Sequence, residues 1–374
     1  MRIDPQRLIE QFIIMAKIPS ESGHERAMGD YLVAACSQRG WKVSEDQAAA
    51  VLGSDTGNIL VQIPGNVEAP TLLFSAHMDT VSPGIVKEII SRKDCLFSNG
   101  TSILGADDKA GIAAILEAVD TLLLSDVSFP PLELLFTVGE EVGLSGAGCF
   151  DYSQIHATYG YVLDHGSAPG AMVLRSPAQY HMTFTVEGKA AHAGMCPELG
   201  LNAIQIMGQA LLTLPTGRID EETTCNFGKI SGGLAHNIVC PSCTLEAEAR
   251  SLDPEKLERL VNAMIADFTE IVEKHGAKAI VQKEFIYAAA QLQKEDPAVQ
   301  IATQAAEVLG LAVKHESTGG GSDASVINEH GIACVNLGIG MSKVHTQEEF
   351  IRIQDLVDSA RWVLEIIRTA GRKL

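Results

Sequence analysis

Two adjacent glutamates, Glu140 and Glu141, close the apolar run "LLFTVGEE". Such a run reads as a buried strand, and a carboxylate at its end is costly unless it is paired or given a counter-ion. Other apolar runs end in the same way. "LLFSAHMD" closes on His77 and Asp79, "YGYVLD" closes on Asp164, and "ACVNLGIGMSKVH" leads to His345. The turn "GADDKAG" sets Asp107 and Asp108 at an expected helix start. In an open α/β sheet, ligands bind outside the carboxyl ends of the strands, so these residues aim at one region. Like charges gathered there repel or protonate unless a cation neutralises them. A mixed His and carboxylate set suits zinc, cobalt or manganese rather than calcium. Taken singly, each has an ordinary structural explanation: aspartates complement a helix dipole, a histidine sits on a surface, a glutamate pair occupies a solvated turn. Their shared position at strand ends favours a metal site.

Periodicity supplies the framework that carries these residues. "NILVQIPG", "TLLFSAHMDTV", "PLELLFTVGEE" and "ATYGYVLDHG" read as strands, and "ADDKAGIAAILEAVDTLLL" as a helix with Asp107 and Asp108 in its first turn. Strand, helix, strand predicts an α/β domain with a mixed, mainly parallel sheet flanked by helices. From about Ser176 the texture changes, since "AQYHMTFTVEG" alternates apolar and polar residues as a half-exposed antiparallel strand does. Two further helices and three further strands come next, which predicts a compact α+β insert. The α/β texture resumes after Leu292. The expected organisation is a catalytic domain at 1–175 and 289–374 with an inserted domain at 176–288.

Composition narrows the partners. A formal net charge of −19 argues against nucleic acid and anionic membrane surfaces, whose phosphates would repel the chain. No stretch approaches the apolar length of a membrane span, and the first twenty residues carry helical spacing rather than a signal-peptide pattern. The cysteines lack framework spacing and read as reduced thiols, which gives a cytoplasmic expectation. "CPSC", at Cys240 and Cys243, has no further ligands nearby to make a zinc site. "TGGGSDAS", Thr318–Ser325, lacks the lysine of a phosphate-binding loop. The amides of Gly320, Gly321 and Ser322 are expected to form a nest for a substrate carboxylate, with Asp323 holding the turn or meeting a substrate amine.

"SAHMDTV", "GADDKAG", "GEEVGLSGA", "VLDHG", "GKAAHAG", "GGLAHN" and "GGGSDAS" together resemble, in order and over nearly the whole chain, the di-zinc exopeptidases related to peptidase T, carboxypeptidase G and aminoacylase. The resemblance is closest to the peptidase T-like branch and extends to the inserted lid and dimerisation domain. It implies two divalent metal ions, zinc foremost with cobalt or manganese as alternatives. By that resemblance His77 and Asp164 bind one metal, Glu141 and His345 the other, and Asp107 rather than Asp108 bridges them. Asp79 orients His77, and Glu140 is the general base. His192 of "GKAAHAG" stabilises the oxyanion, often across a dimer interface, so a homodimer through the insert is expected. Asn237 and Arg250 match positions that grip the polar end of a substrate, although an Arg there also suits a surface salt bridge.

The implied activity is removal of the N-terminal residue of short peptides, tripeptides foremost. An N-acyl amino acid deacylase or a carboxypeptidase would use the same site. One departure from peptidase T bears on tripeptide specificity, because "STGGG" lacks the Arg that precedes the Gly-Gly turn there. The lid motifs set the chain apart from glutamyl aminopeptidase-like enzymes that share an "EEVGLxGA" stretch. A relative that has lost its chemistry would lack Glu140 or a ligand, and none is missing.

Overall fold

The computed structural model describes residues 2–125 and 127–372. They form two compact units, one of 2–125, 127–175, 291–317 and 322–372, the other of 176–290 and 318–321. The first is built on a nine-stranded sheet. Its order runs from Lys42–Glu45 through Ile59–Ile63, Leu132–Thr137, Leu72–His77, Tyr159–His165 and Ala333–Gly338 to Ala171–Ser176, with Ala290–Gln291 beyond and Lys314–Ser317 also paired to Ala171–Ser176. Leu132–Thr137, Leu72–His77, Tyr159–His165 and Ala333–Gly338 run parallel to their neighbours in that series. His77 stands opposite Thr137, and Ser75 stands opposite Val162. The strands therefore end level, and the loops after them leave the sheet at the same edge.

These strands are Leu-, Val- and Phe-rich without alternation because both faces are covered. One covering element is the helix Ala106–Leu123, buried almost all round. It packs against Leu72–His77 and Tyr159–His165 on one side and against the helices Pro5–Ala16 and Ile353–Arg372 on the other. Its small residues, Ala110, Gly111, Ala113 and Ala114, permit that close approach. Asp107 and Asp108 depart from the expected first turn. Their backbone angles are φ −81°, ψ 104° and φ −118°, ψ 30°, outside the helical region, and a cis peptide joins them. The Asp107 carboxylate meets His77 and His345 outside the helix, whereas Asp108 accepts from the His77 amide and from the Gly111 amide of the helix itself.

A four-stranded sheet had no counterpart in the periodicity. Its order is Met341–Ser342, Phe350–Arg352, Cys95–Ser98, Ile89–Arg92. Strands of two to four residues are too short to show a period. This sheet clips the loop bearing His345 to the segment that leads into Asp107.

In the second unit five antiparallel strands are ordered Gly217–Arg218, Thr223–Gly232, Ser242–Ser251, Ala178–Glu187, Lys278–Tyr287. Residues of Ser242–Ser251 alternate between buried and half-exposed, as a sheet with one covered face requires. The helices Ala203–Thr213 and Pro254–Lys274 cover it, capped by Asn202 and Asp253. Phe184 and Phe268 meet at 4.9 Å between ring centroids in the core, and each buried ring contributes about 1.5–3 kcal/mol. Cys240 and Cys243 lie in the same core, and among the described residues all eight cysteines are free.

Gly111 marks how tightly the first unit is built around its acidic edge. A Cβ there would lie 2.4 Å from Asp108 Oδ1 and 2.5 Å from the Leu163 carbonyl. Gly111→Ala must therefore push the helix from the strand that carries Asp164. A loss of about 1–3 kcal/mol is expected by denaturant unfolding, and an unchanged midpoint would contradict this packing.

Candidate metal centre

The strand ends converge as their order requires. His77 Nε2 lies 2.9 Å from Asp107 Oδ1 and 3.9 Å from Asp164 Oδ1. His345 Nε2 lies 3.3 Å from Asp107 Oδ2 and 2.9 Å from Glu141 Oε1. Asp107 thus turns one oxygen to each histidine, an arrangement suited to a bridging carboxylate. Ligand-type atoms of His77, Asp107 and Glu141 fall within 4.8 Å of one another, as do those of His77, Asp108 and Asp164.

Asp108 differs from Asp107 in what its oxygens already do. Oδ2 accepts from the His77 amide at 3.3 Å and Oδ1 from the Gly111 amide at 3.2 Å. Asp79 is similarly occupied. Its oxygens accept from Ser22 Oγ at 2.7 Å, the Glu140 amide at 3.0 Å and the Glu141 amide at 3.2 Å. His77 Nδ1 reaches the Asp79 carbonyl at 3.0 Å and its carboxylate at 3.4 Å. Asp79 therefore orients the imidazole and also pins the turn bearing both glutamates. Glu25 completes that turn, with Oε1 accepting from the amides of Gly23 and Gly139 at 2.9 and 3.2 Å. Gly139 has φ +59°, which glycine adopts without strain. The sequence reading missed Ser22 and Glu25, because neither lies in a motif and the Glu25 tie spans 114 residues.

The two glutamates end in different surroundings. Glu141 bonds to His345, whereas no hydrogen bond or ion pair holds the Glu140 carboxylate among the described residues. Burial and then the neighbouring Asp164 carboxylate push Glu140 well above the usual carboxylate range. Asp164 is raised by burial and by Asp107. Burial also acts to raise Asp107, but hydrogen bonds from His345 and His77 hold it well below the ordinary range. Burial opposes the His77 imidazolium, yet the bonds to Asp107 and Asp79 lift it well above its ordinary value. Bonds to Asp107 and Glu141 push His345 up to about 10. These shifts all reflect negative charge crowded away from water, which a divalent cation relieves for the same donors. Its imidazole and carboxylate donors fit such an ion.

Asp323 is 1% exposed and accepts from Thr137 Oγ1, while its Oδ1 has no partner. Burial pushes it up to about 6. The nest expected of the glycine turn does not form from Gly320 and Gly321. The Gly320 amide donates to Thr318 Oγ1 at 3.2 Å and the Gly321 amide to Tyr287 Oη at 3.1 Å. Ser322, 5% exposed, leads into the helix Asp323–Glu329.

Within the second unit, His192 and Asn237 come together. The Ala193 amide bonds to the Asn237 carbonyl at 3.0 Å, and the Val239 amide bonds to the Ala191 carbonyl at 2.9 Å. Exposed His192 accepts the amides of Gly194 and Met195 at Nδ1, both at 3.2 Å. In the neutral ring this places the proton on Nε2. Arg250 reaches Glu248 at 2.9 Å and Tyr287 Oη at 3.4 Å; Tyr287 also went unnoticed in the sequence.

Comparison with known proteins gives the family. Residues 174–276 match the family model "Peptidase dimerisation domain", and residues 58–167 match "Peptidase family M28". Aminopeptidase PepT from Bacillus cereus is 38% identical with a TM-score of 0.90, covering 99% of this chain and 100% of that one. A tripeptidase from Staphylococcus aureus is 38% identical with a TM-score of 0.94, and each chain is covered in full at 100%. The protein YqjE of Bacillus subtilis is 40% identical over 99% of this chain and 100% of its own length. The chain belongs to the peptidase T-like family of metallopeptidases. It is a hydrolase of peptide bonds, with a mixed α/β body and a separate dimerisation domain, as in those structures. Among the described residues, no helix is long and apolar enough to cross a membrane.

Metal removal offers a direct check of the centre in this metallopeptidase. Chelation is expected to stop hydrolysis and lower thermal stability. Zn²⁺ restored to a hundred times its Kd should return about 2.7 kcal/mol per site. Stability and activity that both ignore the chelator would exclude the centre.

Proposed function

We propose that this protein is an aminopeptidase that releases the N-terminal residue of short peptides, tripeptides foremost, with two divalent ions, zinc first among them. His77, Asp107 and Asp164 would hold one ion, and Asp107, Glu141 and His345 the other. The division of the Asp107 oxygens between the two histidines carries this reading. Asp108 is set aside because backbone amides occupy both its oxygens. When bound, such ions lower the pKa of water and polarise the scissile carbonyl.

The chain's own residues perform the rest. Glu140, whose carboxylate no hydrogen bond or ion pair holds among the described residues, takes a proton from the water attacking the carbonyl carbon. It returns that proton to the amine nitrogen as the C–N bond breaks. Asp79 fixes the His77 ring and the Glu140–Glu141 turn together. His192 stabilises the oxyanion by donating a hydrogen bond from Nε2–H. Asn237 and Arg250 grip the substrate's polar end, the guanidinium fork suiting a terminal carboxylate. The activities named for the two 38% identical structures, an aminopeptidase and a tripeptidase, support the choice over deacylase and carboxypeptidase. The matched dimerisation domain supports a homodimer through the second unit.

Glu140→Gln should lower kcat by about 10²–10⁴ with two metals retained per chain; hydrolysis at the wild-type rate would remove Glu140 as the base. Free, N-acetylated and C-amidated di- to tetrapeptides separate the activities. Cleavage of free tripeptides blocked by N-acetylation is expected, whereas a preference for N-acetylated substrates would make the enzyme a deacylase. For His192, mixing a His192→Ala protein with a Glu140→Gln protein should restore activity if the imidazole serves the partner subunit. No restoration would place its action within one chain.

A further inference from the structure

Glu349 lies four residues beyond His345 in the loop "HTQEE" and is 1% exposed. Its carboxylate collects three backbone amides from the segment that delivers Asp107. Oε2 accepts from Leu104 at 2.7 Å and Gly105 at 2.9 Å, and Oε1 accepts from Asp107 itself at 3.1 Å. The tie to Asp107 spans 242 residues. Its base is firm on the other side. The Glu349 amide bonds to the Thr346 carbonyl at 3.1 Å, and Thr346 Oγ1 bonds to the Lys343 carbonyl at 2.7 Å. The strand Phe350–Arg352 then pairs with Cys95–Ser98, Ile351 opposite Leu96. One carboxylate thus joins the loop carrying His345 to the turn carrying Asp107.

From this geometry we propose that Glu349 is a positioning residue that holds Asp107 and His345 at the separation needed to share a metal ion. The inference rests on the ligand assignment given above. A carboxylate is suited to the task because it only accepts, and donors converge on both its oxygens. A glutamine offers one acceptor oxygen and turns an NH₂ group towards an amide donor. Burying another anion beside an acidic cluster is unfavourable electrostatically. A residue needed only to fill space would be an apolar one.

The test titrates metal-free, full-length protein with Zn²⁺ alone by calorimetry, with near-ultraviolet circular dichroism to confirm folding. In Glu349→Gln, affinity is expected to fall about 10- to 100-fold at the site that takes both Asp107 and His345, and by less at the site that takes Asp107 alone of the two. Glu349→Asp keeps both acceptors on a shorter arm, so its loss should be smaller; it also serves if the glutamine variant does not fold. Glu117→Gln is the control. Glu117 is a buried carboxylate of the same unit, held by Arg7 and the Asp4 amide, and its variant should lose thermal stability with both affinities intact. Two unchanged affinities in the folded Glu349 variants, or an equal fall at both sites, would overturn the proposal. Wild-type protein that binds fewer than two Zn²⁺ ions would overturn the ligand assignment itself, a distinguishable outcome.

Discussion

An ionised carboxylate removed from water is unfavourable by several kcal/mol unless something replaces its hydration. The carboxyl edge of this sheet gathers Glu25, Asp79, Asp107, Asp108, Glu140, Glu141, Asp164 and Glu349, all buried or partly buried. The structure resolves that concentration by sorting the acids into two sets. Glu25, Asp79, Asp108 and Glu349 each accept from two or more backbone amides, Glu25 and Asp79 from a serine hydroxyl as well. Asp107 and Glu141 face histidines, while Glu140 and Asp164 have no hydrogen bond at the carboxylate among the described residues. The first set builds the loops, and the second is left available for a cation and a proton.

The sorting also explains why the loops hold a fixed shape at all. A segment leaving a strand end has amides that no ladder satisfies, and a buried orphan amide loses about 1–3 kcal/mol. Here the amides of Gly139, Glu140 and Glu141 are taken in succession by Glu25 and Asp79. Each liability cancels the other, the acid losing its desolvation penalty and the loop its unsatisfied donors. With the backbone held, the side chains of Glu140 and Glu141 diverge. One meets His345 and the other stays untethered. A pair that looks redundant in the chain is divided by its surroundings.

Much of this was legible in the chain because strand ends are marked locally. Runs such as "LLFSAH" and "LLFTV" are too apolar to be anything but interior, so their polar successors had to be at an edge. The insert was equally plain, since alternation replaced continuous apolar runs near Ser176. What lay hidden is non-local. Nothing within reach of Glu25 or Glu349 in sequence announces an amide 114 or 242 residues away. Periodicity also extended the helix through Asp107 and Asp108, whose backbone lies outside the helical region. At the glycine turn, composition suggested amides open to a ligand. The ring of Tyr287 passes so close to Gly321 that a Cβ would lie 2.3 Å from it, and the hydroxyl takes the amide.

The same rule, that a group's occupied atoms reveal what it has left to offer, extends to the second unit. His192 is exposed and ordinary by burial, yet its Nδ1 accepts two successive amides of its own loop. In the neutral ring that fixes the tautomer and leaves the N–H at Nε2. The ring's orientation is thus set by bonds that residues 192–195 make among themselves, because two amides within three residues hold one nitrogen and leave the other free to donate.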